Sequence, residues 1–196
     1  LSSSSAASDV YKRQDFKLFD NQQHTKIALF VSKEDHAFNE ILLRVNRNEL
    51  PAEIVCIVSN HENNRQFAET LHIPFYYIPS NEDKEIVERK ILDVCSEHQV
   101  ELIVLAKYMQ ILSDHFVSHY PNQIINIHHS FLPSFIGANP YKQAWERGVK
   151  LVGATSHYVT SDLDEGPIID QDVIRINHRY NVCLLYTSPS PRDKRQ

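Results

Sequence analysis

An alternation of two apolar patterns constrains this chain more than any other feature. Residues 26–32 ("KIALFVS"), 53–59 ("EIVCIVS") and 102–106 ("LIVLA") are near-continuous apolar runs. A strand reads this way when both of its faces are covered. After the first run, Phe38, Ile41, Leu42 and Val45 recur at i, i+3, i+4, i+7, the spacing of one helical face. A short helix is expected over residues 64–71, and "PFYYI" (74–78) reads as a third strand. "SNEDKEIVERKILDVCSEH" reads as a helix capped by Ser80 or Asn81, with acids in its first turn and Val87, Ile91, Val94 and Cys95 as its buried stripe. "QIINIH" (123–128), a helix around residues 141–147, and two further strands over 151–160 and 167–176 complete the pattern. This βαβα order predicts an α/β fold, a mostly parallel twisted sheet with helices on both faces. Ligands of such sheets lie beyond the carboxyl ends of the strands.

Composition narrows the class. The 196 residues are 42% hydrophobic, enough for one domain with a sizeable core. No apolar run approaches the roughly 18 residues a membrane-spanning helix needs. The three cysteines, at 56, 95 and 183, show no paired spacing. That argues against a disulfide framework or zinc and fits a reducing compartment, so a cytoplasmic location is expected. The formal charge of −5 offers no field for nucleic acid, and a homo-oligomer is left open.

The two ends, "LSSSSAASDVYKRQ" (1–14) and "CLLYTSPSPRDKRQ" (183–196), carry no apolar period. One set of codons for "DVYKRQ", read on the opposite strand and shifted by one base, encodes "CLLYT" and opens the next Ser. Both ends therefore resemble a translated transposase adapter in inverted orientation, and are expected to be non-native tails. The native segment is expected to run over residues 15–182, cut at both ends. Setting aside five basic and two acidic tail residues takes the formal charge from −5 to −8.

The densest chemistry lies in "NIHHSFLPSF" (126–135), at the end of an apolar run. Asn126 and His128 are two apart on a strand end, so both side chains point the same way. Asp164 sits in "SDLDEGPII", between two apolar strands. If that loop folds back, an amide, an imidazole and a carboxylate meet. Such a set stabilises an oxyanion and moves a proton. Each residue alone is more often surface or a satisfied core group, and spacing does not bring them together. His157 alternates with apolar positions and reads as structural. His128 and His129 point to opposite faces of an extended strand, and no Glu or Cys stands at ligand spacing, so no metal is expected. The loop after the first strand, "SKEDH", has no glycine and carries Glu34 and Asp35. A phosphate there would meet side chains and negative charge, so no phosphorylated ligand is expected at that turn.

Taken together, "VSKEDHAFNEILLR", "LAKYMQILS", "INIHHSFLPSFIGANPYKQAWERGVKLVGATSHYVTSDLDEGPIIDQ" and "VIRINHRY" resemble the catalytic domain of the formyltetrahydrofolate deformylases, a branch of the folate-dependent formyltransferases. The resemblance runs through nearly all of residues 26–180. It implies a Rossmann-like formyltransferase fold and hydrolysis of 10-formyltetrahydrofolate to tetrahydrofolate and formate, which feeds purine synthesis and one-carbon balance. The folate is substrate, and no cofactor is implied. Asn126, His128 and Asp164 stand at the positions of the family's catalytic residues. The folate-binding segments correspond to Tyr108, Met109, Gln110, Ile111 and Leu112, and to Thr160, Ser161, Asp162 and Leu163 leading into Asp164. His129, commonly Pro in the transferase branch, is expected to help hold the hydrolytic water. Leu132–Pro133 is expected to be cis. The resemblance implies an N-terminal regulatory ACT domain, which is expected to be cut away ahead of residue 15. Two other readings remain: a phosphoribosylglycinamide-type formyltransferase, against which the Gly-free first loop counts, and an inactive folate-binding fragment.

Overall fold

The computed structural model describes residues 24–33, 36–135 and 140–176. The two expected tails, Glu34 and Asp35 lie outside them. Seven strands form one sheet in the order β3-β2-β1-β4-β5-β6-β7. The strands are β1 (Thr25–Val31), β2 (Ala52–Ser59), β3 (Phe75–Tyr77), β4 (Leu102–Ala106), β5 (Ile124–His128), β6 (Leu151–Tyr158) and β7 (Ile168–Arg175). β1 to β5 pair in parallel. β6 and β7 pair antiparallel. The expected mostly parallel sheet is what forms. β7 returns directly from β6 because the nine residues between them hold no helix to carry a crossover.

The period of two along β1 sorts the core. Ile27, Leu29 and Val31 pack with Phe38 and Leu42 of helix α1 (His36–Asn46) and Ala68 of α2 (Arg65–Thr70). Ala28 and Phe30 face the other way, onto Val87, Ile91 and Cys95 of α3 (Lys84–Glu97) and Phe116 of α4 (Asp114–His119). Both faces of the central strands are therefore covered, as their unbroken apolar runs require. A smaller cluster sets Ala144 of α5 (Pro140–Glu146) against Val152 and Ile176.

Two local readings are corrected. The cap of α3 is Asp83, not Ser80 or Asn81, and its carboxylate accepts from the Glu85 N–H. Any of these residues can cap, and packing of Val87 and Ile91 sets where the first turn falls. Helix α4 is absent from the sequence reading. Its six residues are too short to show a helical period, but Ser113 caps it by accepting from the Phe116 N–H.

The switch in strand order lies between β1 and β4, whose neighbours continue in opposite directions. The loops that leave the carboxyl ends of β4 and β5 open at this edge, where α/β sheets hold their ligands.

Candidate active site

β5 carries Asn126 and His128 to its carboxyl end on one face, as their spacing predicts. Asn126 is in register with His157 of the neighbouring β6. Past β6 the chain turns sharply. Asp164 takes a left-handed φ of +59°, a region that Asp tolerates better than most residues. Gly166 is buried where a Cβ would stand 1.7 Å from the Tyr158 carbonyl oxygen. Only glycine lets the loop fold back so closely on the strand. The Pro167 carbonyl then accepts from the Tyr158 N–H and closes the loop.

These turns bring Asp164 to the β5 end. Its Oδ2 stands 3.4 Å from His128 Nδ1, and its Oδ1 3.7 Å from His157 Nε2. Asn126 Nδ2 stands 3.3 Å from His157 Nε2. The side chains of His128, Asp164 and His157 are only 10%, 7% and 2% exposed. Asn126 and His128, near neighbours on β5, therefore meet the distant Asp164 in one nearly dry cluster. His157, read from sequence as structural, is its fourth member. Its place opposite Asn126 needed the β5–β6 register, which no sequence pattern prints.

The hydrogen bonds assign the ring protons. His157 Nδ1 donates to the Tyr158 carbonyl at 3.0 Å, so the neutral ring's Nε2 lone pair accepts from one Asn126 amide N–H. The second N–H of that amide remains for another acceptor. His128 Nε2 donates to the Phe135 carbonyl at 3.1 Å. Nδ1 of His128 is thereby turned toward the Asp164 carboxylate. The cluster thus offers an N–H donor beside an imidazole–carboxylate pair, the two kinds of group that general acid–base chemistry uses.

The loop after β5 is fixed from β6 and β7. Thr155 is fully buried. Its hydroxyl donates to the Ser130 carbonyl at 2.8 Å and accepts from the Leu132 N–H at 3.0 Å. The Gln171 amide donates to the Leu132 carbonyl at 2.9 Å. Leu132–Pro133 is cis, as expected.

The segment 108–112 crosses from β4 to α4 without regular structure. Tyr108 is buried, its ring edge-on to Phe30 at 5.4 Å. Burial, and then the charge of Glu88, push its hydroxyl up to about 12. Met109 and Ile111 are 73% and 65% exposed, unusually bare for apolar side chains. All five residues line a cavity of about 390 Å³ with Glu82, Lys84, Val87, Glu88 and Ile91. Thr160, Ser161, Asp162 and Leu163 form the loop ahead of Asp164, with the Thr160 hydroxyl donating to the Asp162 carbonyl at 3.2 Å. They do not line that cavity. Val159, just before them, packs in the same apolar cluster as Tyr108 and Leu112. His129 is half-buried and lines a small pocket with Phe135, Ala144 and Val152. Among the described residues no three His, Cys, Asp or Glu side chains are grouped as metal ligands. Among them, too, no helix is long and apolar enough to cross a membrane.

Residues 25–190 match the formyl transferase family. The chain belongs to it. Formyltetrahydrofolate deformylase of Bacillus subtilis (strain 168) is 58% identical over 161 residues, 82% of this chain and 54% of the relative. The chain thus spans about half the length of the curated relatives it matches. The crystal structure of a formyltetrahydrofolate deformylase from Pseudomonas syringae pv. tomato str. DC3000 superposes with a TM-score of 0.83 at 45% identity, covering 86% of this chain and 57% of that one. Glycinamide ribonucleotide transformylase 1 from Symbiobacterium toebii shares the fold at a TM-score of 0.81, covering 88% and 83%, but only 26% of its sequence. That transformylase is thus nearly as close in backbone and much farther in side chains.

Proposed function

We propose that this chain is the catalytic part of a formyltetrahydrofolate deformylase, a hydrolase that converts 10-formyltetrahydrofolate and water to tetrahydrofolate and formate. One observation carries the reading. Asn126, His128 and Asp164 converge at the sheet's ligand edge in a chain 58% identical to a named deformylase. The Asn126 N–H not bound to His157 is the donor for the oxyanion that forms when water adds to the formyl carbon. The His128–Asp164 pair takes the water's proton and returns it to N10 as the carbon–nitrogen bond breaks. The water oxygen leaves in formate. His157 keeps the Asn126 amide turned toward the reacting carbonyl.

The segments 108–112 and 160–163 hold the pterin in this reading, by backbone groups and apolar walls. His129 helps hold the water. No cofactor takes part. Water as acceptor, rather than a phosphorylated amine, is supported by the Gly-free loop "SKEDH" and by identity of 43–58% to deformylases against 26–31% to glycinamide ribonucleotide formyltransferases. The buried thiols Cys56 and Cys95 support a reducing, cytoplasmic setting. The formate would serve purine synthesis and one-carbon balance. Formate release from 10-formyltetrahydrofolate, measured with and without glycinamide ribonucleotide, tests the reading. Release with water alone is the expected result. Turnover that requires the amine would replace it with the transferase reading.

A further inference from the structure

Glu88 is a carboxylate in the wrong place for a soluble helix. It lies on the buried stripe of α3 between Val87 and Ile91 and is 5% exposed. Burying a charge there is costly unless it is met by hydrogen bonds. Glu88 meets Ser113. Its Oε1 accepts from the Ser113 N–H at 2.7 Å, and its Oε2 accepts from the Ser113 hydroxyl. Among the described residues its only ion pair is with Lys84, at 4.0 Å. Ser113 is the residue that ends the 108–112 segment and caps α4.

The other end of that segment is set as well. Lys107 leaves β4 with a left-handed φ of +60°, a conformation a non-glycine residue holds only where its surroundings impose it. Between Lys107 and Ser113 the chain has no ladder and no helix, and Met109 and Ile111 stand in solvent. Its inward anchors are Tyr108 against Phe30, the half-buried Leu112, and the Glu88–Ser113 pair.

We propose that Glu88 is a positioning residue for ligand binding: it clamps Ser113 and so holds the 108–112 segment in its binding shape. This rests on the reading of 108–112 as a folate-binding segment. The clamp acts on binding, not on the chemical step, because Glu88 lies beside the 108–112 segment, in the same cavity wall, and is no part of the Asn126, His128, His157 and Asp164 cluster. It also explains why a carboxylate is tolerated in an apolar stripe.

The test compares this chain with Glu88→Ala and Glu88→Gln by amide hydrogen exchange and by steady-state kinetics with 10-formyltetrahydrofolate. A hydrogen bond to a charged group is worth a change of about ten- to a hundredfold in an equilibrium. Glu88→Ala should lower protection of the 109–113 amides by that factor while Leu102–Ala106 keep theirs. It should raise KM by a similar factor with kcat nearly unchanged. Glu88→Gln keeps one oxygen for the Ser113 N–H and should recover most of both. Unchanged exchange and KM in a cooperatively folded Glu88→Ala would overturn the proposal. So would kcat falling together with protection across the whole sheet, in both variants. If the parent chain neither binds nor turns over the folate but the local exchange effect is present, the clamp stands and the folate reading falls.

Discussion

Asn126 and His157 face each other across the β5–β6 ladder, with 3.3 Å between the amide nitrogen and Nε2. This contact turns a strand-end amide, which can point either way, into a fixed donor. The ring that fixes it is itself fixed by the Tyr158 carbonyl. His157→Ala should therefore lower kcat for formate release by less than Asn126→Ala, which removes the donor itself. The expected loss for Asn126→Ala is about 10²–10³-fold. Equal losses, or a His157→Ala loss confined to KM, would show that the ring does not serve the amide.

Asp164→Asn keeps the size of the side chain beside His128 but removes the carboxylate charge. The loss in kcat should be about 10²–10⁴-fold, with folate binding measured by titration calorimetry retained. Near-normal formate release by this variant would remove Asp164 from the reaction.

Gly166→Ala would push a methyl group to 1.7 Å from the Tyr158 carbonyl oxygen. The backbone must move, and the loop that carries Asp164 moves with it. A stability loss of about 3 kcal/mol or more in urea denaturation is expected, together with lost activity.

Thr155→Val keeps the volume in the buried sheet but removes an oxygen that serves Ser130, Leu132 and Gln171. The buried Leu132 N–H is then left without its acceptor, a cost of about 1–3 kcal/mol. Thr155→Ser should restore most of it. Denaturant midpoints of the three proteins decide the point.

Burial pushes the Cys56 and Cys95 thiols up from 9.0 to about 12. For these acids the folded value is raised, so the unfolded state ionises first as pH rises. Their contribution to stability is whole below pH 9 and is lost as pH climbs from there toward about 12. Below pH 9 neither thiol should react with iodoacetamide until the chain is unfolded in urea. Stability should fall more steeply above pH 9 in this chain than in the Cys56→Ala, Cys95→Ala double variant.

The apolar runs of β1, β2 and β4 and the period of α1 were legible in the sequence because burial on both faces, or along one helical stripe, leaves a periodic signature. The same period of two places Asn126 and His128 on one face of their strand. The sequence also placed a loop at "SDLDEGPII", the glycine of which proves to be required. Tertiary structure decided the rest. It alone set the antiparallel return of β6 and β7, and with it the register that puts His157 on Asn126. It brought Asp164 within 3.4 Å of His128 over 36 residues of chain. It hid Glu88 under Ser113, and it made a helix of six residues after β4. Periodicity reports which side of one element is dry. Contacts between elements depend on how several dry sides fit together, and that information is spread over the whole chain rather than written in any one stretch of it.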